Sequence, residues 1–423
     1  GGAGNDTING NGGADTITGG AGNDTITMEG AISSIAGGDG NDTVIEGSSS
    51  NDLFGYGYAI TGGAGTDILR VANLTGFDSG DGSTISGFET LDVNGALTVD
   101  LDDFTNNTFT TILTSDNAIN LDSFRSETIK IDATMTGALD VDGESVSGSS
   151  DSISITAAAS GTITNTAAID LSGYETINIT TDDSDDSTYE DVTIILTDTS
   201  ATTINISGDS GFNFTDGSTN SSLTAVTTVD ASGMTNTDAA SGIVYTASAG
   251  MNTTSGAVVS VTGSAAADTL TGHLNTDDTF SGGAGADHLD YLGRSDTFTG
   301  GAGNDTFDLD HVGTSTAYLT ITDLADDDII DFADIDDDGG VDFVSTKITL
   351  GSSATLTNYL DAAASSTDGA TKSDVEWFSF GGDTYIVLDN SDTATFVSGT
   401  DSLIKIDNGH DITASTFSGS VLT

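Results

Sequence analysis

The strongest constraint on the fold is a nine-residue repeat in which glycine, aspartate and one apolar residue recur at fixed positions. Residues 1–27 are three consecutive copies, GGAGNDTIN, GNGGADTIT and GGAGNDTIT, and GGDGNDTVI follows at 37–45. A displaced copy, GGAGTDILR, occupies 62–70. A second array within 263–308 contains HLNTDDTFS, GGAGADHLD, YLGRSDTFT and GGAGNDTFD. Any fold of this chain must therefore accommodate a short turn and a short strand in every unit.

Each position of the unit has a physical role. Glycine adopts the backbone conformations of a tight turn that other residues resist. The sixth-position aspartate offers carboxylate oxygens to that turn, and the last three residues form a short strand. The form GGxGxDxUx indicates a parallel β-roll that binds calcium. The eighth residues predicted to point inward are Ile8, Ile17, Ile26, Val44, Phe280, Leu289, Phe298 and Phe307.

The period also predicts which aspartates meet. If two units make one coil, residues eighteen apart stack on the same edge. Asp6, Asp24 and Asp42 then line one edge of the first array. In the second array Asp278 stacks with Asp296, and Asp287 stacks with Asp305. Stacked carboxylates repel each other unless a cation lies between them, so the pattern predicts several Ca²⁺ ions. The alternative is a glycine-rich turn in which aspartate serves only as a cap.

Charge and composition limit the other functions. The 423 residues carry 66 acidic and 7 basic side chains, a formal net charge of -59. Such a chain repels nucleic acid and anionic membranes, so we expect neither as a partner. No apolar run reaches the roughly 18 residues of a membrane span. Cysteine is absent, which excludes disulfides and thiolate metal sites. Disorder fits poorly, because only 17% of the residues are charged and 35% are hydrophobic.

The predicted fold is all-β, with at most one or two short helices. Its four segments are a first β-roll (1–70), a Thr/Ser-rich β-solenoid or stacked sheet (71–262), a second roll with acidic strands (263–345) and a small C-terminal domain (346–423). In the middle segment GFETLDV, SETIKID and GYETINI resemble one another and predict strands at loose intervals. In the last segment 356–364 predicts a short helix, and the alternation in 377–407 predicts hairpin strands, with Trp377 in the core.

With both arrays considered, the chain resembles the RTX family, which is exported through type I secretion. The family includes toxins, proteases, lipases, adhesins and surface-layer proteins. The Thr-rich strands and the C-terminal DTYIVLDNSDTATFVSGTDSLIKI resemble RTX surface-layer proteins of Gram-negative bacteria. The resemblance implies a secreted, non-enzymatic protein that assembles with itself into a calcium-dependent lattice on the cell surface. Because the first residue already lies inside a repeat, we expect a preceding N-terminal region that binds cell-surface polysaccharide. The alternative is the secretion and folding module of an RTX enzyme, toxin or adhesin.

The resemblance also implies the calcium ligands. Carried over by motif position, the aspartate ligands are Asp6, Asp15, Asp24, Asp42, Asp67, Asp278, Asp287, Asp296 and Asp305. The glycines whose turns supply carbonyl oxygens are Gly1, Gly19, Gly37, Gly282 and Gly300. Ser33 occupies the sixth position of the degenerate fourth unit, which leaves Asp15 without a carboxylate partner. The units that begin at His273 and Tyr291 lack the leading glycines, and Asp268 lies one residue out of register.

Three other patterns carry candidate chemistry. In DIDDDGGVD, Asp334, Asp336 and Asp338 precede a glycine at the spacing of a calcium loop, although Ser345 replaces the expected glutamate; a calcium loop and a solvated acidic turn both stay open. The GDSG at 208–211 lacks the upstream histidine that serine-protease chemistry needs, so we interpret it as chance. The four histidines show no metal-ligand spacing, and we interpret His288 and His311 as turn residues.

Overall fold

The computed structural model divides the chain into two compact units, Gly1–Ala201 and Thr202–Thr423. It describes all residues except 30–31, 48–58, 116, 144–149, 160–161, 184–190, 198–199, 216–222, 239–240, 248–257, 336–340, 366–372, 392 and 419–420. Strands dominate both units, and most of them pair in parallel. The all-β prediction is therefore confirmed, and each unit is described separately. The four-segment division stays a prediction.

The first unit is a solenoid of parallel strands that lie in three sheets. The strands of the first sheet are Gly2–Ala3, Asp15–Ala21, Ile32–Asp39, Ala59–Ala64 and Ile85–Ser86. Those of the second sheet are Thr7–Asn9, Thr25–Met28, Thr43–Glu46, Ile68–Val71, Thr90–Val93, Thr111–Thr114, Thr128–Ile131, Ser152–Ala159 and Thr176–Asp183. Those of the third are Leu97–Asp100, Ile119–Phe124, Leu139–Gly143, Ile163–Asp170 and Asp191–Thr197.

The second unit is also built on parallel strands, to which an antiparallel C-terminal part is added. One sheet contains Thr203–Gly208, Thr228–Met234, Val258–Thr262, Asp277–Ala284, Thr297–Ala302, Leu319–Ile321, Ser402–Ile406, Asp383–Asp389, Ser373–Phe380 and Val341–Phe343. The other contains Gly211–Thr215, Ile243–Thr246, Thr269–Thr271, His288–Tyr291, Thr306–Leu309, Ile329–Asp331, Val421–Leu422 and Phe417–Ser418. Strand Asp383–Asp389 pairs antiparallel with both Ser373–Phe380 and Ser402–Ile406, which confirms the predicted hairpins.

Helices are few and short among the described residues. They are the α-helices Ser79–Gly82 and Leu356–Ala363 and the 3₁₀ segments Leu101–Asp103, Asp407–Gly409 and Ile412–Ala414. The Leu356–Ala363 helix begins at a capping box formed by Thr355 and Asn358 and buries Leu360 and Ala363, as the sequence predicts. None of the helices in the described part of the chain is long and apolar enough to cross a membrane.

The core of each unit is a column of apolar side chains in cross-strand register. In the first unit this column is Ile26, Val44, Leu69, Leu91, Ile112, Ile129, Ile155 and Ile179. In the second it is Ile204, Val229, Val261, Phe280, Phe298, Ile321 and Ile406. All of these side chains are buried, and burying each one stabilises the fold by about 1.5–3 kcal/mol. The nonapeptide coils and the Thr/Ser-rich coils therefore share one core.

Candidate metal centre

The repeat turns of the first unit form a stack of aspartates, which we call the first stack. The backbone N–H of Asp6 donates to Oδ1 of Asp24 at 2.8 Å, and Asp24 donates in the same way to Asp42 at 2.8 Å. Asp42 donates to Oδ1 of Asp67 at 2.7 Å. The structure thus brings together the aspartates that the eighteen-residue period places on one edge, and it adds Asp67 across a spacing of 25 residues.

One oxygen of each buried carboxylate in this stack has no hydrogen-bond partner among the residues that the structure describes. Asp24, Asp42 and Asp67 are 1%, 1% and 0% exposed. Their Oδ2 atoms are buried and make no hydrogen bond within the described residues. An unpaired anionic oxygen in a protein interior is costly. These atoms therefore require a cation or a proton.

Glycine leaves the space that a cation needs. A Cβ added to Gly19 would collide with Oδ2 of Asp24 and with the carbonyl oxygen of Gly37 in the next coil. The same arrangement recurs at Gly37 with Asp42, and at Gly1 with Asp6. Each site thus presents a carboxylate oxygen and a carbonyl oxygen to one small space, which is the hard oxygen donor set that Ca²⁺ prefers. The residues present fit a calcium ion.

The second unit repeats this geometry in what we call the second stack. Asp268 donates its N–H to Oδ1 of Asp287 at 2.9 Å, Asp287 donates to Asp305 at 3.0 Å, and Asp305 donates to Asp328 at 3.0 Å. The Oδ2 atoms of Asp287 and Asp305 are buried and have no hydrogen-bond partner in the described part of the chain. A Cβ at Gly282 would collide with Oδ2 of Asp287. The space that glycine leaves beside the carboxylate, which we call the glycine cradle, is therefore present here too.

The opposite edge of the second roll carries a shorter pair. Asp278 donates its N–H to Oδ1 of Asp296 at 2.8 Å. Both carboxylate oxygens of Asp278 accept hydrogen bonds, Oδ2 from the His273 N–H and Oδ1 from the Thr276 hydroxyl, each at 2.7 Å. Only Oδ2 of Asp296 is left buried and unpaired. The units without leading glycines therefore satisfy one of their two aspartates with the protein itself.

Burial raises the pKa of four of the stacked carboxyl groups, Asp67, Asp287, Asp296 and Asp305. Desolvation raises the pKa of Asp287 to about 7 and that of Asp296 to about 9, against an ordinary value of 3.8. It raises the pKa of Asp67 and Asp305 as well. Protein donors alone thus do not stabilise the charged carboxylates. A bound cation would favour the charged form of each.

Some of the predicted ligands lie outside the stacks. Asp15 is half-buried and pairs with Ile32 along the strand, and the residue eighteen positions further on is Ser33, so no carboxylate stacks with it. Its Oδ2 is buried and accepts no hydrogen bond from the residues that the structure describes. Asp334 is exposed and lies near Asp308 and Asp310. Asp336 and Asp338 lie outside the described residues.

The structure adds acidic residues that the sequence analysis did not assign as ligands. Glu89 accepts the Asp67 N–H through Oε2 at 2.8 Å and so continues the first stack. Asp328 continues the second stack, and Asp268 belongs to it although it is one residue out of register. Asp323 accepts the N–H groups of Gly300 and Gly301, each at 2.9 Å. The repeated FETL and YETI strings, each with a glutamate just before a strand, were the available signal for Glu89.

A parallel β-roll with stacked, buried aspartates and glycine carbonyls defines a calcium-binding repeat scaffold. Residues 1–27, 260–289 and 292–310 match the family model of the RTX calcium-binding nonapeptide repeat (4 copies). The chain therefore carries RTX nonapeptide repeats, which bind Ca²⁺ at multiple sites. Proteins with these repeats are typically secreted. No curated protein matches the chain.

Proposed function

We propose that the protein is a structural component of a surface layer and that calcium drives its folding and its self-assembly into an extracellular lattice. It would leave the cell by type I secretion and perform no catalysis. Its partners would be further copies of itself and a cell-surface polysaccharide.

The observation that carries this proposal is the continuity between the calcium coils and the Thr/Ser-rich coils inside the first unit. The apolar column passes without interruption from Ile26 in a repeat coil to Ile179 in the Thr/Ser-rich part. The first stack likewise continues from Asp67 to Glu89. The calcium coils are thus built into a long scaffold rather than appended to it, and a scaffold of this kind suits a load-bearing lattice subunit.

Calcium would act on this scaffold by neutralising the aspartates. A metal that binds only the folded state adds its binding free energy to folding. Low calcium inside the cell would keep the chain unfolded for export, and high calcium outside would fold it. The same ion would then permit strongly acidic copies to pack side by side.

The test uses the purified chain in calcium and in chelator. We expect a β-rich circular dichroism spectrum only in calcium, together with ordered two-dimensional arrays by electron microscopy. A spectrum that is unchanged by the chelator would contradict calcium-driven folding. Folded particles that stay monomeric in calcium would contradict assembly and would favour the alternative, a secretion and folding module of an RTX enzyme, toxin or adhesin.

Imaging of native cell surfaces with labelled antibody separates these two functions further. A periodic coat that disappears on calcium removal supports the surface-layer proposal. A catalytic domain upstream of the first repeat, in a protein released as single particles, would support the alternative.

A further inference from the structure

A second kind of ligand cluster lies on the outer surface of the second roll. His288 and Asp290 are two residues apart on strand His288–Tyr291, so their side chains leave the same face. Asp308 on the neighbouring strand is the register partner of Asp290. One ligand atom from each of these three residues lies within 4.8 Å of the other two. The interpretation of His288 as a turn residue is wrong, because it lies within a strand.

The contacts inside the cluster are close, but they leave oxygens unused. Nε2 of His288 lies 2.8 Å from Oδ1 of Asp290 and 3.4 Å from Oδ2 of Asp308. The Oδ1 atoms of both aspartates are buried; that of Asp290 contacts only the His288 ring, and that of Asp308 makes no hydrogen bond among the described residues. Three ligand atoms thus converge on one place, and one further oxygen, Oδ1 of Asp308, has no hydrogen-bond partner among the described residues.

The surroundings hold the cluster in position and keep it accessible. The Thr271 hydroxyl donates to Oδ2 of Asp290 at 2.7 Å, an outer contact of the kind that orients a metal-binding carboxylate. The His288 side chain is 41% exposed, whereas Asp290 and Asp308 are 16% and 17% exposed. An ion could therefore enter past the imidazole and reach partly buried carboxylates.

We propose that His288, Asp290 and Asp308 form a site for a divalent transition-metal ion such as Zn²⁺, separate from the calcium stacks. One imidazole nitrogen and two carboxylates are typical zinc ligands, and the imidazole distinguishes this set from the all-oxygen sets that select Ca²⁺. The open side of the cluster leaves room for water or for a ligand from another molecule. The competing arrangement is an ion pair of protonated His288 with both carboxylates, which holds no metal.

The experiment is a zinc titration of the full chain in saturating calcium, followed by calorimetry and by zinc X-ray absorption. We expect one zinc site with imidazole scattering. His288→Gln should weaken it by at least about tenfold, because loss of an outer-shell partner alone already costs about 10–100-fold. His410→Gln is the matched control, since His410 also lies beside an aspartate, with Nε2 3.7 Å from Asp326, but outside the cluster.

Asp290→Asn provides a second variant in case His288→Gln disturbs the fold, and circular dichroism in calcium checks both. Zinc affinity that falls in both cluster variants but not in His410→Gln supports the site. The proposal is overturned if the parent protein binds no zinc in excess calcium, if the bound zinc lacks an imidazole ligand, or if His410→Gln weakens binding as much as His288→Gln.

Discussion

Asp24 and Asp15 occupy the sixth position of adjacent repeats, and we expect their replacement by asparagine to have very different effects. Asp24 is buried between Asp6 and Asp42, and its Oδ2 faces the glycine cradle. Asp15 is half-buried opposite Ile32. Asparagine preserves the volume and the oxygen that accepts the Asp6 N–H. Asp24→Asn therefore removes mainly an anionic oxygen of a stacked site. Asp15→Asn removes the charge of a carboxylate that has no second carboxylate stacked against it.

The expected magnitude follows from the ligand that is lost. Losing an outer-shell partner already lowers metal affinity about 10–100-fold, so loss of a direct ligand such as Oδ2 of Asp24 should cost at least ~1.4–2.8 kcal/mol of calcium binding. In a unit of about two hundred residues, 1 kcal/mol shifts the unfolding midpoint by roughly 2–4 °C. Asp24→Asn should therefore lower the midpoint in calcium by about 3–11 °C, and Asp15→Asn should lower it by much less.

The assay is thermal unfolding followed by circular dichroism at limiting and at saturating calcium, with both variants and the parent chain measured in parallel. In chelator the destabilisation by Asp24→Asn should disappear, because there is no metal to lose and the substitution also removes the repulsion of Asp24 with Asp6 and Asp42. Equal shifts for Asp15→Asn and Asp24→Asn in calcium would refute the stacking argument. A shift for Asp24→Asn that persists unchanged in chelator would refute the role of calcium in it.

Three further predictions test the same sites by other means. Because the pKa values of Asp287 and Asp296 are raised, the metal-free folded state binds more protons than the unfolded state between the ordinary and the raised pKa. As the pH falls from about 8 to about 5, the folded fraction in chelator should therefore increase, whereas calcium affinity should fall. Circular dichroism in chelator and a calcium titration at each pH measure these two effects. Gly19→Ala should abolish calcium binding at its turn, because the Cβ would collide with Oδ2 of Asp24 and the Gly37 carbonyl oxygen. Gly12→Ala should leave calcium binding unchanged, because no atom lies within 4 Å of the added Cβ. Calcium stoichiometry measured by calorimetry distinguishes the two variants. Glu89→Ala should lower the free energy of unfolding of the first unit by about 1–3 kcal/mol, because the buried Asp67 N–H loses its acceptor. Glu89→Gln keeps an acceptor oxygen and should lose much less stability. Unfolding in denaturant measures both variants.

The nonapeptide period was enough to predict the roll and most of its stacked aspartates. A spacing of eighteen residues brings Asp24 beneath Asp42 because two turns and two strands complete one coil. The inward eighth positions follow from the same period, and Ile26, Val44 and Phe280 are indeed fully buried. Where the repeat is strict, its fixed length alone determines which residues pair between neighbouring coils. The sequence is then sufficient to predict the stacked aspartates and the buried apolar positions.

The sequence predicted Asp67 as a ligand but not its place in the first stack, and it did not assign Glu89 or Asp268, because at these points the spacing changes while the stacking continues. Asp42 and Asp67 are 25 residues apart, and Asp67 and Glu89 are 22 apart, because a coil can take extra residues into its turns without moving its strands. Asp268 lies 19 residues before Asp287 for the same reason. The cluster of His288, Asp290 and Asp308 was missed because His288 and Asp308 meet only through strand pairing, which cannot be recognised from a short spacing in the sequence.

The placement of the acidic residues explains why this scaffold needs a counterion. Neighbouring parallel strands lie about 4.8 Å apart, so adjacent carboxylates in a stack repel each other by about 3 kcal/mol at an effective dielectric constant of roughly 20. This repulsion is as large as the gain from burying one side chain of the apolar column in the same coil, about 1.5–3 kcal/mol. Each added coil thus brings a favourable apolar contact and an unfavourable charge contact of comparable size. A calcium ion between coils changes the sign of the charge contact, so calcium concentration should decide whether the repeat coils stack at all.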